Sequence, residues 1–212
     1  GMVTLWGMRL SVYLFKRNLG KPEDFRYRAW RSASGKKWWW KSYFQVFLFQ
    51  GSMMLLVSLP IIVIQSNLQQ PALNIVDGIG IFVWLAGFTI ESTADRQMAK
   101  FKSNPENRGR VLKQGLWACT RHPNYLGEFL VWWGVYLMAV HIPGGVWTIL
   151  SPLLMSFLLL RISGVPMLEK RLQVEKPDYA QYAANTPAFF PRLSSCIART
   201  HGLKNEEHHG HD

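Results

Sequence analysis

Apolar runs of about 20 uncharged residues alternate along the chain with short segments dense in Lys and Arg. A helix needs roughly 20 apolar residues to cross the ~30 Å hydrocarbon layer of a bilayer. Four runs meet or approach this length, at about 43–66, 72–90, 125–140 and 146–161. The pattern therefore predicts an all-α fold, a polytopic bundle of four transmembrane helices with cytoplasmic extensions.

Helix-breaking residues refine this prediction. Pro60 lies inside the first apolar run and predicts a kink there. The stretch Ile142–Gly145 reads Ile-Pro-Gly-Gly and predicts a turn between the third and fourth runs. The opening stretch Met2–Met8 is apolar but too short to span, and no signal peptide is visible. We expect it to be the end of a helix whose beginning is missing, in a chain shortened at its amino terminus.

The distribution of charge predicts the orientation in the membrane. Lys and Arg lie before the first run, between the second and third, and after the fourth, whereas the connections at 67–71 and 141–145 contain neither. Basic loops stay on the cytoplasmic side of membrane proteins. The basic segments and the carboxyl-terminal tail are therefore predicted to be cytoplasmic, in the endoplasmic reticulum of a eukaryote or the inner membrane of a bacterium. Trp38–Trp40 precede the first run, where interfacial aromatic residues are expected.

The net charge of +11 is also typical of nucleic-acid-binding proteins. Such proteins do not gather neutral residues in runs of about 20, so we expect the bilayer and an apolar, lipid-like substrate as partners, and no nucleic acid. Cys119 and Cys196 both fall in segments predicted to be cytoplasmic, so neither a disulfide nor a metal site is expected. Residues 1–193 are predicted to form one domain, and 194–212 a disordered polar tail.

The second apolar run continues into a polar segment with helical spacing. Asp95 follows Glu91 by four residues and precedes Lys102 by seven, so the three share one helix face. They are candidates for ligand binding. The alternative is a solvated helix end with ordinary ion pairs.

The stretch before the third run carries the densest candidate chemistry. Pro123 suits the first turn of a helix, and the free N–H groups of such a turn attract anions. Arg121 and His122 add cationic donors at the same point. These residues predict a site for a negatively charged group.

Further along the same helix, Tyr125 and Glu128 align with Arg121 at helical spacing, and Asn124 lies beside them. An ionisable residue such as Glu128 in a helix entering the membrane is costly and is usually functional. The alternative is a basic residue at the membrane edge with a glutamate that reaches toward water.

Arg161 and Glu169 follow the fourth run and are separated by about two helical turns. They could face one cavity, or serve as an interfacial anchor and a surface charge. Three helix ends are thus predicted to converge on a pocket for an elongated anionic ligand such as a nucleotide. No glycine-rich fingerprint is present, so helix ends and side chains would hold it.

Three segments carry a family resemblance: 115–117 (Gly-Leu-Trp), 121–128 (Arg-His-Pro-Asn-Tyr-Leu-Gly-Glu) and 132–134 (Trp-Trp-Gly). They resemble the carboxyl-terminal domain of the steroid 5α-reductase family, and more closely its uncharacterised relatives, the DUF1295 group. The resemblance extends over about 4–193.

That resemblance implies a seven-helix membrane fold with NADPH held between cytoplasmic helix ends, and hydride transfer to an activated carbon–carbon double bond of a lipid such as a 3-oxo-steroid. The positions matching the family's cofactor contacts are Arg9, Asp95, Lys102, Asn124, Glu128 and Arg161. The other expected cofactor-binding residues are Arg121, His122, Tyr125, Glu169 and Tyr182.

Some positions depart from the family pattern. Lys102 replaces an arginine, Glu91 an asparagine and Glu169 a tyrosine. Trp6 takes the place of the tyrosine that polarises the substrate ketone, and an indole cannot transfer a proton as a phenol does. No catalytic residue is therefore predicted.

Two other functions remain open. Isoprenylcysteine carboxyl and phospholipid methyltransferases share an Arg-His-Pro-x-Tyr-x-Gly segment and bind S-adenosylmethionine, although Asn124 and Glu128 favour the reductase. The remaining alternative is a non-enzymatic membrane interaction protein.

Overall fold

The computed structural model describes residues 1–20, 22–23, 25–67, 72–162, 164–191 and 196, and this part of the chain is helical with no β-strand. The α-helices, in chain order, are α1 (Met2–Asn18), α2 (Phe25–Ser34), α3 (Trp38–Ser42), α4 (Phe49–Val57), α5 (Leu59–Ser66), α6 (Ile75–Ser103), α7 (Leu116–Cys119), α8 (Pro123–Ala139), α9 (Leu150–Phe157), α10 (Val165–Glu175) and α11 (Tyr179–Asn185). Two π-helical segments, Tyr43–Leu48 and Leu158–Ile162, join α3 to α4 and extend α9. The all-α prediction is confirmed.

The first apolar run forms a bent helix. A continuous helical stretch Tyr27–Val57 meets α5 at an angle of 54°. The break lies at Ser58, and Pro60 occupies the first turn of α5. The missing N–H of proline costs no hydrogen bond there, because N–H groups in the first turn have no partner within the helix. The predicted kink at the proline is therefore confirmed.

Fewer helices than predicted can cross a membrane by length and composition. Ile75–Ser103 and Gly145–Glu175 qualify, and the bent pair counts as a third if it forms one span; Ser163 lies outside the described residues. The third predicted span, α8, has 17 residues, so the count of four spans stays a prediction. Such a helix is about 26 Å long, short of the ~30 Å hydrocarbon layer. The chain is nevertheless a polytopic helical membrane protein.

A seam of glycines joins α6 to α8. Gly80 faces Gly134, and Gly87 faces Gly127, so the two helices run antiparallel with contacts seven residues apart. A Cβ atom at Gly87 would lie 2.6 Å from the carbonyl oxygen of Gly127, which no side chain tolerates. Small residues of this kind let helix backbones approach closely inside a membrane. The seam fixes α8 against the polar part of α6.

The chain after α11 folds back over the amino-terminal end of α8. The Thr120 hydroxyl donates to the carbonyl oxygen of Phe189 at 2.8 Å. This return brings Cys196 to Cys119, and the two form a disulfide with their Cα atoms 4.6 Å apart. The expectation of two unpaired cysteines was therefore wrong, because it considered the compartment and ignored this fold-back. Apart from Cys196, the predicted disordered tail lies outside the described residues.

The turn predicted at 142–145 is confirmed. Gly144 has a φ of +81°, a left-handed conformation that favours glycine. Gly145 lies so close to the carbonyl oxygen of Ala139 that a Cβ atom would overlap it. The Pro-Gly-Gly sequence therefore satisfies both the turn conformation and the tight packing.

Candidate functional site

One guanidinium holds two carboxylates between α1 and α6. Arg9 forms ion pairs with Glu91 and with Asp95, the latter at 2.5 Å. Both acids are buried, at 3% and 5% exposure, and lie one turn apart on α6. The predicted shared face of Glu91 and Asp95 is thus occupied by a cation from the start of the chain, and these three residues are referred to below as the Arg9 cluster.

Aromatic rings surround the Arg9 cluster. The Trp6 indole nitrogen donates a hydrogen bond to Glu91 at 2.7 Å, and its ring packs edge-on against Trp132 of α8 at 5.6 Å. On the other side, the Arg9 guanidinium lies 5.9 Å from the centre of the Phe88 ring, within the range of a cation–π contact. The cluster therefore lies in a low-dielectric environment where its charges interact strongly.

A third carboxyl group, Glu128 on α8, approaches the same cluster. Its side chain interacts electrostatically with Glu91, Asp95 and Arg9. Gly127 makes this approach possible, because its backbone lies directly against the Cβ atom of Glu91. Three carboxyl groups thus gather around the guanidinium of Arg9.

A second cluster forms at the amino-terminal end of α8. Arg121 Nε and His122 Nε2 each lie 3.0 Å from the same oxygen, Glu169 Oε1 of α10. His122 is 1% exposed, and its ring stacks on Tyr125 with centroids 5.5 Å apart. Arg121 also donates to the carbonyl oxygen of Ala183 in α11 at 2.9 Å. The predicted cationic residues are thus brought together, but a carboxylate of the protein already occupies them.

Tyr179 of α11 completes this second cluster. It is 1% exposed, and burial, followed by the negative charge of Glu169, raises the pKa of its phenol to about 12. The phenol therefore stays protonated at physiological pH. Tyr179 was absent from the predicted site, because no helical spacing links it to Arg121 or His122.

Asn124 lies in the first turn of α8. It precedes Glu128 by one turn of α8 and therefore lies on the same face. Its side-chain oxygen is buried and has no hydrogen-bond partner within the described chain. A buried acceptor without a donor costs about 1–3 kcal/mol, so this oxygen is suited to a donor supplied by a ligand.

Three of the predicted site residues lie elsewhere. Lys102 is exposed at the end of α6, and Arg161 is exposed in the π-helical extension of α9. Tyr182 is buried and donates to the carbonyl oxygen of Trp117 at 2.5 Å, which packs α11 on α7. Arg161 is thus separated from Glu169, which pairs with Arg121 and His122, and a cavity common to Arg161 and Glu169 stays a prediction.

Two surface grooves lie apart from both clusters. The larger, of about 460 Å³, runs along α10, and the other, of about 420 Å³, lies beside the carboxyl-terminal half of α6. Neither is lined by a predicted cofactor-binding residue. The larger is lined by Met167, Lys170, Arg171 and Glu175. The smaller is lined by Gln97, Lys100, Phe101, Asn104, Asn107, Leu112, Gln114 and Gly115.

The comparisons with known proteins identify the family of this chain. The family described as "Protein of unknown function (DUF1295)" matches residues 1–186. The chain belongs to the DUF1295 family. An uncharacterised protein of Schizosaccharomyces pombe is 28% identical over 216 residues, which cover 90% of this chain and 61% of that protein. The chain thus spans about three fifths of that relative's length, and no solved structure matches it.

Both clusters fall within the family match. Residues 1–186 include α1 with Arg9 and α11 with Tyr179. The Arg9 cluster is therefore a feature of the DUF1295 part of the chain, and the disulfide cysteine Cys196 lies beyond it.

Proposed function

We propose that the protein is an NADPH-dependent membrane oxidoreductase that reduces a carbon–carbon double bond of a lipid or steroid-like enone. The observation that carries the proposal is the buried oxygen of Asn124, which has no partner within the described chain and lies one turn of α8 from Glu128. A carboxamide N–H₂ group of a nicotinamide is a donor that would satisfy this oxygen. The residues present therefore fit the amide end of such a cofactor.

The charge at the site supports the same reaction class. Bound NADPH supplies a hydride and is left with a positively charged ring. Glu91 and Asp95 place two carboxylates against the one guanidinium of Arg9, and this arrangement would stabilise a positive charge that develops beside them. Such fixed charges act most strongly where water is excluded.

Trp6 has a positioning role in this proposal. Its single N–H already donates to Glu91, so it has no donor left for a substrate ketone. It therefore orients the Glu91 carboxylate, and the proton that completes the reduction comes from another group. The exposed Lys102 and Arg161 would supply positive charge for the cofactor's phosphates.

The proposed orientation follows from the same charges. The basic segments that flank the spans lie on the cytoplasmic side, where NADPH is available. An apolar substrate reaches the site from the bilayer between the helices.

A methyltransferase is the second candidate, and one observation favours it. Carboxylates beside the aromatic pair of Trp6 and Trp132 also suit the sulfonium cation of S-adenosylmethionine. In a methyltransferase, these carboxylates would hold the methyl donor itself.

Direct binding separates the two candidates. The purified chain in detergent is titrated with NADPH, followed by energy transfer from tryptophan to the reduced nicotinamide, and separately with S-adenosylmethionine by calorimetry. We expect saturable NADPH binding that Asn124→Ala weakens by about fivefold or more, since the carboxamide donor then loses its partner.

The matched control is Gln181→Ala, which removes an exposed side-chain amide from α11. It should bind NADPH as the unchanged chain does. Saturable binding of S-adenosylmethionine alone would replace the reductase by the methyltransferase. Binding of neither molecule would contradict both enzymatic proposals.

A further inference from the structure

We propose that residues 28–41, which extend from Arg28 to Lys41, form a docking surface for anionic phospholipid head groups. This basic–aromatic segment precedes the first span and takes no part in the two clusters described above. The inference is independent of the proposed enzymatic activity.

Uncompensated positive charge is the first argument. No Asp or Glu occurs between Asp24 and Asp77, a stretch that contains six Lys and Arg. Four cations of the segment are exposed and make no ion pair within the described residues. They are Arg28, Lys36, Lys37 and Lys41. The fifth, Arg31, pairs with Glu23 at 2.6 Å on the surface, where such a pair is weak.

Exposed aromatic rings adjoin these cations and fix their depth in the membrane. Trp39 and Trp40 are 73% and 54% exposed, and the Trp40 ring contacts Phe44 at 4.8 Å. Tyr43 and Phe47 continue the exposed band toward the span. Aromatic belts of this kind sit at the boundary between head groups and acyl chains. The cations within one or two turns of the band therefore lie at the level of the lipid phosphates.

Helix length places the cations outside the hydrocarbon. The stretch Tyr27–Val57 has 31 residues, about 46 Å of helix, whereas the hydrocarbon layer is about 30 Å thick. About ten residues of the helix therefore exceed the thickness of the hydrocarbon layer, and they lie at its basic end.

These features favour lipid over an acidic protein partner. The aromatic band holds the segment against the bilayer, so the nearest and most concentrated anions are those of the head groups. Each basic residue near such a surface strengthens binding of anionic lipid by about fivefold. A protein partner would need no aromatic band at this depth.

The test uses the full chain reconstituted in phosphatidylcholine bilayers. Trace spin-labelled phosphatidylglycerol or phosphatidylcholine reports, by electron paramagnetic resonance, the relative affinity of the two lipids for the protein surface. We expect the unchanged chain to prefer the anionic lipid at least severalfold, and 0.5 M salt to remove most of the preference, because exposed charges are screened at about that ionic strength. The triple variant Lys36→Gln, Lys37→Gln, Lys41→Gln should bring the ratio close to one.

The matched control removes three exposed lysines that do not adjoin the aromatic band: Lys100→Gln, Lys113→Gln, Lys170→Gln. It should keep most of the preference. An equal loss in both triple variants would overturn the proposal, since the effect would then follow net charge alone. Absence of any preference in the unchanged chain would also overturn it, and salt-sensitive capture of an acidic peptide without lipid preference would indicate a protein partner.

Discussion

The buried carboxyl groups at the two ends of α6 differ in how completely their hydrogen bonds and charges are satisfied. At the amino-terminal end, Asp77 accepts from the backbone of Asn74 at 2.9 Å, and Asn74 accepts in return from the backbone of Asp77 at 3.1 Å. His141 lies 3.4 Å from the same carboxylate. In the carboxyl-terminal half, three carboxyl groups gather around Arg9, and Asn124 has a buried acceptor with no donor within the described chain.

This difference separates a structural site from a candidate functional one. The capping box at Asn74 satisfies the helix end within itself, which is how a cap stabilises a helix. The Arg9 cluster is held together by residues more than 80 positions apart and still has unmatched polar atoms. A ligand is the simplest source of the missing partners.

Insertion of a large side chain into the glycine seam should have the largest effect, because the seam joins both ends of α6 to α8. Gly127→Leu would collide with the backbone of Gly87 and Glu91, neither of which can move aside. We expect a loss of more than about 4 kcal/mol and a chain that does not fold. The control Gly78→Leu, on α6 outside the seam, has no atom within 4 Å of its Cβ position and should fold normally. Detergent-solubilised yield and melting temperature measure both, and a folded Gly127→Leu variant would mean that the helices do not touch here.

Removal of the Arg9 guanidinium should destabilise the protein nearly as much as Gly127→Leu. Arg9→Met leaves Glu91 and Asp95 buried without their partner, which costs about 3–5 kcal/mol for a buried pair. The triple variant Arg9→Met, Glu91→Gln, Asp95→Asn should recover most of that loss. At the other end of α6, Asp77→Asn should cost about 1 kcal/mol, the usual value of a cap. Equal melting temperatures for Arg9→Met and Asp77→Asn would remove the distinction between the two ends.

Local patterns predicted some of this arrangement and missed the rest. The shared face of Glu91 and Asp95 followed from helical spacing, because the period of a helix is a local property. The closure of that face by Arg9 joins distant parts of the chain, so only the family resemblance pointed to it. Trp6 was noticed as a substitution, but no pattern predicted its bond to Glu91.

Spacing alone did not show what the side chains of Arg161 and Glu169 contact. The two residues are eight apart, and a π-helical stretch that ends at Ile162 lies between them. Arg161 is exposed, whereas Glu169 pairs with His122, a residue 47 positions earlier that no local pattern links to it.

Substitution of one asparagine near each part of α6 tests whether the two parts differ in function. Asn74→Ala should lower stability by about 1 kcal/mol, because two backbone N–H groups lose their acceptor. Asn124→Ala should leave the melting temperature of the unliganded chain unchanged or slightly higher, since its buried oxygen has no partner to lose. Thermal unfolding with and without NADPH measures both. Only the Asn124 variant should lose the stabilisation that the cofactor provides, and a loss of that stabilisation in Asn74→Ala would show that the two ends are coupled.

The smallest effect is expected at alkaline pH, in the second cluster. Tyr179 has a pKa raised to about 12 by burial, against about 10 in an unfolded chain. The protonated phenol thus contributes stability that is fully present below pH 10 and is lost as the pH rises from 10 to 12. Tyr179→Phe removes this contribution, so its melting temperature should fall less steeply over that interval than that of the unchanged chain. Tyr43→Phe, which alters an exposed tyrosine, should follow the unchanged chain. If all three melting curves respond to pH alike, the Tyr179 phenol is open to water and the cluster with Glu169 is not closed.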